Sequence, residues 1–340
     1  MLGRIERHSG KGKTGMRSIV RSVTVAGVGL ALILAGGVAA QAQPSAAASG
    51  NVSTVARTAG GKAVNTPAAI AEVEAYWTPE RMAAAVDLDL KVTDSDPAGA
   101  PAPQGKPGSI APAPPARGLA ALNQSVTVGK VYVSVPGGTG QCSASALNSG
   151  KRRLVITAGH CVHAGAGGGW YSNFIFVPGF RQGVSPVGNF VAGNLTARTA
   201  WINNSSGDED IAIAIMNNGG IYGAKVVDTV GGMGLRWNWG YSVAVTILGY
   251  PAAGGFPGDL QYFCQGTTWN GHGQQVRAWC NMTQGSSGGP WLQEYNDQNG
   301  LGYTNSVVSH RHGDASQMDG PYFDNDVKSL FDFAEGLSPA

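Results

Sequence analysis

The chain has 340 residues, 52 of them glycine, with 43% hydrophobic and only 13% charged residues and a formal net charge of +2. So little charge beside so much glycine excludes a disordered polyelectrolyte and a helical bundle and suits a loop-rich, all-β protein. The basic excess sits at one end: residues 1–42 hold six Lys or Arg against one acid, Glu6, and the other 17 basic and 20 acidic residues leave about −3, without the basic footprint a nucleic-acid partner requires.

In chain order, Arg4, Arg7, Lys11, Lys13, Arg17 and Arg21 precede an apolar run from Val23 to Ala40, and Ala40-Gln41-Ala42 offers a small-x-small cleavage site. Residues 1–42 therefore read as an export signal, and the stretch from Met16 is still a complete one. The competing reading is a retained membrane anchor, because the run approaches bilayer-spanning length. Small residues end the run, however, and no basic stop-transfer cluster follows it.

Residues 43–117 are rich in Ala, Pro and Ser and hold no cysteine. Thr66-Pro67 and Thr78-Pro79 each place a capping hydroxyl before a proline at the first helical position, which predicts two short helices. Asp96 to Pro115 has no apolar periodicity and reads as an extended linker. A helical element and a linker between a signal and a compact domain suggest a propeptide, with a permanent stalk as the alternative. Its removal is expected between Ala111 and Val126, and Arg117-Gly118 is one candidate junction.

From Val126 the pattern changes to short β-prone runs separated by Gly, Asn and Pro. Val126 to Val135, Arg153 to Thr157, Phe174 to Val177, Ile211 to Met216, Val243 to Leu248 and Ser306 to Ser309 are such runs, as in a sandwich or barrel. Val327, Leu330, Phe331 and Ala334 recur at helical spacing and predict a helix over Asp324 to Ala334. Cys142, Cys161, Cys264 and Cys280 allow three pairings in an exported chain. The sequential one closes two short loops, each stabilising by about 3 kcal/mol in the loop-entropy picture. A metal site competes, but no Cys-x-x-Cys spacing is present.

Three segments carry chemistry. In Gly285-Ser286-Ser287-Gly288-Gly289-Pro290, glycines around a serine let the backbone approach a substrate, with Gly285 and Ser287 as N–H donors to one developing oxyanion. Leu154 to Ala158 reads as a buried strand that delivers His160 into a turn, where Cys161 would fix the backbone for a general base. Asp210 adjoins the strand Ile211 to Ile215, where it would orient an imidazole, whereas Asp208 and Glu209 read as solvated loop acids.

Together Thr157-Ala158-Gly159-His160-Cys161, Asp210-Ile211-Ala212 and Gly285 to Pro290 resemble, in residues and in order, the chymotrypsin/trypsin superfamily of serine proteases, and in particular its secreted actinobacterial, glutamyl-endopeptidase-like branch. The resemblance covers Gly118 to Ala340. It implies two six-stranded antiparallel β-barrels, with a triad of His160, Asp210 and Ser287 between them. It further implies an oxyanion hole at Gly285 and Ser287, a substrate pocket near Asn281, Thr283, Ser309 and His310, and no metal or organic cofactor. Implied too are a protein or peptide substrate, the chain's own propeptide as partner, and a monomer that is extracellular and free of the membrane once the signal is cut.

Departures from the trypsin pattern matter. Ser286 stands where the resemblance calls for the Asp that receives a new N-terminus, so steric blockage by the propeptide is expected instead. Asn281 in place of Asp at the pocket base removes the electrostatic warrant for cleavage after Lys or Arg. Val308, where glutamyl endopeptidases carry His, argues against strict Glu specificity, although Thr283, His310 and Arg311 are compatible with an acidic preference. A catalytically silent protease-fold binding protein and a serine esterase are the alternatives. The second fits Gly-x-Ser-x-Gly by letter, but α/β-hydrolases order the triad Ser, Asp, His.

Overall fold

Six strands rich in Val, Ile and Ala, Val128–Val135, Gly138–Leu147, Leu154–Thr157, Ser172–Pro178, Phe190–Arg198 and Ala212–Met216, curl into a closed antiparallel barrel. Closure comes from Ala212–Met216, which pairs with Leu154–Thr157 on one edge and Phe190–Arg198 on the other. These strands belong to a computed structural model that describes residues 50–90, 105–116, 125–312 and 316–339, so the expected export signal and the Arg117-Gly118 junction lie outside the described residues. Val131, Phe176 and Leu195 on one face of these strands and Ile156 and Ile213 on the other are all fully buried, in one hydrophobic core. Among the described residues no helix is long and apolar enough to cross a membrane.

The second half distributes its strands over two hydrogen-bonded sheets. Ala244–Gly249, Tyr262–Thr267, Pro290–Asn296 and Leu301–Val307 form the antiparallel body of one, and Gly234–Trp237 joins it parallel to Leu301–Val307. Trp269–Asn270, Gln275–Trp279, Gln317–Pro321 and His310–His312 form the other. Ser306 Oγ donates to the Pro321 carbonyl at 2.9 Å and ties the two together, while Ile247, Val276, Trp291 and Met318 pack between them. The helix Asn325–Gly336 starts at Asp324, whose carboxylate accepts from the Asp326 N–H, and buries Val327, Leu330, Phe331 and Ala334 as their spacing predicts. Each predicted β-run from Val126 to Ser309 falls on a strand, although Val308 and Ser309 themselves lie just beyond Leu301–Val307.

Both disulfides are sequential, Cys142–Cys161 and Cys264–Cys280, and they occupy all four thiols, so the cysteines hold no metal. The two helices expected near the N-terminus are Pro67–Tyr76 and Pro79–Ala83, with the Thr66 and Thr78 hydroxyls accepting from Ala69 N and Arg81 N. The segment around them is not a free appendage. Asn51–Val55 extends the barrel sheet beside Phe190–Arg198, and Val86–Asp87 pairs with Gly138–Leu147.

The extended-linker expectation is corrected in its second half. Gly108–Ile110 is an edge strand on Gly234–Trp237, and Ala113 bridges to Gly232. A three-residue edge strand is held by main-chain hydrogen bonds, which leave no side-chain periodicity to detect.

Candidate active site

The strand Leu154–Thr157 ends at Ala158, and a single 3-10 turn, Gly159–Cys161, carries His160 at the barrel rim. Gly159 is required there, because a Cβ would stand 2.8 Å from the Trp201 indole and 3.0 Å from Asp210 Oδ1. Asp210 follows another 3-10 turn, Gly207–Glu209, and is wholly buried. Its carboxylate accepts three hydrogen bonds: from the His160 main-chain N–H at 2.8 Å, from His160 Nδ1 at 2.8 Å and from Ser309 Oγ at 2.6 Å.

Burial alone would raise the Asp210 carboxyl, but the His160 imidazole and these three donors outweigh it and hold the group below the ordinary carboxylate range. Burial would likewise lower His160, and Asp210 reverses that, so the imidazole sits above its ordinary value. Asp210 therefore fixes the Nδ1–H tautomer and leaves Nε2 as the basic nitrogen. Nε2 is buried and has no hydrogen-bond partner among the described residues.

The glycine-rich loop reaches this turn from the second half of the chain. Ser143 fastens it by donating from N to the Ser287 carbonyl at 2.7 Å and from Oγ to the Gly285 carbonyl at 2.8 Å. The Cys161 sulfur lies 3.8 Å from the Ser287 carbonyl, a packing contact, since a disulfide sulfur has no proton to donate. Gly285 at φ +93° and Gly288 at φ +79° adopt backbone conformations that favour glycine. At Gly288 a Cβ would also run into Thr157 and the Ser143 carbonyl. The N–H groups of Gly285 and Ser287 have no acceptor among the described residues. Ser286 Oγ donates to the Thr283 carbonyl at 2.6 Å, a local tie in place of any ion pair.

The expected pocket residues diverge. Asn281 is exposed. The Thr283 hydroxyl is engaged with Ala253, donating to its carbonyl at 2.8 Å and accepting from its N–H at 3.1 Å. Ser309 and His310 are buried together, with His310 Nδ1 3.1 Å from Ser309 Oγ and Nε2 3.3 Å from Asp319 Oδ2. Arg277 closes the chain with a bidentate pair to Asp319 at 2.6 and 2.7 Å. Burial would raise Asp319, but His310 and Arg277 keep it below its ordinary value. A continuous polar line thus runs from His160 through Asp210, Ser309, His310 and Asp319 to Arg277.

Sequence reasoning missed Trp201, Ser143, Asp319 and Arg277, none of which stands in a motif. It also misjudged Asp208 and Glu209 as solvated acids. Glu209 accepts from the buried Arg198 at 2.7 Å and Asp208 accepts from Gln274 N at 2.9 Å. Burial pushes the Glu209 carboxyl up to about 7 against the pull of Arg198. The sulfurs of Cys142 and Cys161 lie within 4.8 Å of a His160 ring nitrogen, but both are consumed by their disulfide, so the cluster is no metal site.

No family model matches the chain, and no curated protein matches it in sequence. Solved structures do. A thermostable serine protease, AL20, from an extremophilic microorganism is 32% identical with a TM-score of 0.58, over 62% of this chain and 97% of that one. The protease Anisep from Arthrobacter nicotinovorans is 34% identical with a TM-score of 0.59, over 64% and 99%. A Glu endopeptidase solved with MPD shares the fold at 16% identity and a TM-score of 0.52, over 63% and 92%. Nearly the whole length of two proteases, one of them described as a serine protease, is matched at about one residue in three, on a framework that brings His160, Asp210 and the Ser287 loop together, and the chain belongs to the chymotrypsin/trypsin-like serine proteases.

Proposed function

We propose that the chain is a secreted serine endopeptidase, made with an export signal at 1–42 and a propeptide at 43–117, whose protease domain is 118–340. Ser287 Oγ attacks the scissile carbonyl carbon while His160 Nε2 takes its proton. The oxyanion is held by the Gly285 and Ser287 N–H groups, the C–N bond breaks as His160 returns the proton to the leaving amine, and an acyl-enzyme remains. Water, deprotonated by the same imidazole, attacks the ester and releases Ser287. Asp210 keeps the tautomer and stabilises the imidazolium. No metal or organic cofactor enters these steps.

The observation that carries this reading is the triple acceptance by buried Asp210 of His160 N, His160 Nδ1 and Ser309 Oγ, beside a serine loop with two N–H groups turned to no other acceptor. Of the expected pocket residues Asn281 is the exposed one, and being neutral it gives no preference for Lys or Arg. Two disulfides suit an extracellular protein. A fluorophosphonate probe tests the assignment: the protein freed of residues 43–117 should be labelled at Ser287, and labelling should vanish in Ser287→Ala. An unlabelled Ser287 in that form, or peptide hydrolysis that survives Ser287→Ala, overturns it.

A further inference from the structure

A general base must be reachable, yet His160 is only 6% exposed and its Nε2 is sealed from solvent. The cover comes from the N-terminal segment. Val86–Asp87 runs parallel to Gly138–Leu147, and Leu88 N donates to the Gln141 carbonyl at 3.1 Å. Asp87 Oδ1 accepts from Gln141 Nε2 at 2.7 Å, and Asp89 Oδ2 accepts from Gln284 Nε2 at 3.1 Å. A Cβ on Gly285 would stand 2.9 Å from Asp87 Oδ1, and one on Gly140 would stand 2.7 Å from Leu88 Cδ2. Asp87 to Asp89 is thus strung between Gln141 on the first barrel and the Gln284-Gly285 turn on the second half. The Leu88 carbonyl and the Asp89 carboxylate lie near enough to His160 to join Asp210 in favouring its charged form.

We propose that Asp87-Leu88-Asp89 is an internal plug that shuts the catalytic centre without being its substrate; this deepens the protease reading above and rests on it. A peptide bound for cleavage must place a carbonyl oxygen on the Gly285 and Ser287 N–H groups. Here neither N–H receives an acceptor from the plug, although the plug touches the same turn. Attack on it would leave the developing oxyanion unstabilised, so the segment blocks the centre and survives there. Its chemistry is also specific, an apolar side chain lodged over glycine between two carboxylates, each held by a glutamine amide. An added side chain at Gly140 or loss of the two carboxylates should loosen it.

The test compares Ser287 labelling by a fluorophosphonate in the intact secreted chain with labelling after limited proteolysis has degraded residues 43–117, as followed by mass spectrometry. The intact chain should react at least about tenfold more slowly. Replacing Asp87→Ala, Leu88→Gly and Asp89→Ala together should bring the intact chain close to the processed rate. Gly140→Ala, whose methyl would meet Leu88, should accelerate it about threefold or more and leave the processed rate unchanged. If the triple variant fails to fold, its processed form will not be labelled, and Gly140→Ala then decides.

Equal rates for the intact and processed unmodified chains overturn the plug and leave the protease reading standing. Absence of labelling in the processed form of the unmodified chain overturns the protease reading itself. Cleavage by the protein at a bond within residues 86–90 of the docked segment overturns its being a non-substrate.

Discussion

Asp210→Asn replaces one carboxylate oxygen by an NH2 group at a site where all three neighbours donate. If the NH2 faces His160 Nδ1 and Ser309, Nδ1 must carry a lone pair, the proton moves to Nε2, and the base is lost. If it faces the His160 main-chain N–H, two donors abut in a buried pocket. Neither arrangement keeps Nε2 basic with all three neighbours satisfied, so kcat/KM of the processed enzyme should fall about 10⁴-fold, or about 5 kcal/mol of transition-state stabilisation. Folding should survive at a cost of about 1–3 kcal/mol.

The pH profile supplies an independent sign. Asp210 holds the His160 pKa above its ordinary value, and the reaction needs the neutral imidazole, so activity is present above that pKa and lost as pH falls through it. Removing the charge lowers the His160 pKa, so the acid limb of whatever activity remains should move to lower pH. Steady-state hydrolysis of a peptide substrate across about pH 5 to 9 measures both effects. A kcat/KM within about tenfold of the unmodified enzyme, together with an unmoved acid limb, would refute the role given to Asp210.

Ser309→Ala removes one charge-assisted bond from Asp210 and strands His310 Nδ1; kcat/KM should drop about tenfold and urea unfolding should show a loss of about 1–3 kcal/mol. Glu209 has a folded-state pKa raised from 4.5 to about 7, so its folded form holds a proton that the unfolded chain has lost. Stability should therefore decline as pH rises from about 4.5 to 7, by about 3 kcal/mol, and Glu209→Gln should flatten that decline in urea titrations at several pH values. Arg198→Met leaves Glu209 and Asp326 without their buried cation and should lower unfolding free energy by about 3–5 kcal/mol. Removing the Cys142–Cys161 bridge by a double Cys→Ala change should cost about 3 kcal/mol in the same measurement.

Local chemistry was legible in the sequence. Thr66 and Thr78 each cap a helix whose first residue is proline, and the Val327, Leu330, Phe331, Ala334 repeat buries one face of the last helix, because each signal is completed within a single turn or a few. His160 and the Ser287 loop stood out for the same reason. Ser143, Trp201, Asp319 and Arg277 did not, since each acts on a residue far off in sequence and none belongs to a local pattern. Glu209 was misjudged because its partner, Arg198, lies on a neighbouring strand. The strand Gly108–Ile110 and the plug at Asp87 to Asp89 escaped because both are held mainly by their partners' backbone and amides, which impose little on their own side chains.

The two edge strands of the N-terminal segment lie on different sheets, Asn51–Val55 on the closed barrel and Gly108–Ile110 on the second half, with the cover over His160 between them. Cutting the chain near Arg117 would therefore sever a covalent bond and release nothing. The nicked product would be a two-chain complex whose smaller member clasps both halves through main-chain hydrogen bonds, and the onset of activity would obey a dissociation constant. Such a protein would be more fully active when dilute than when concentrated, because dilution below that constant favours the separated chains.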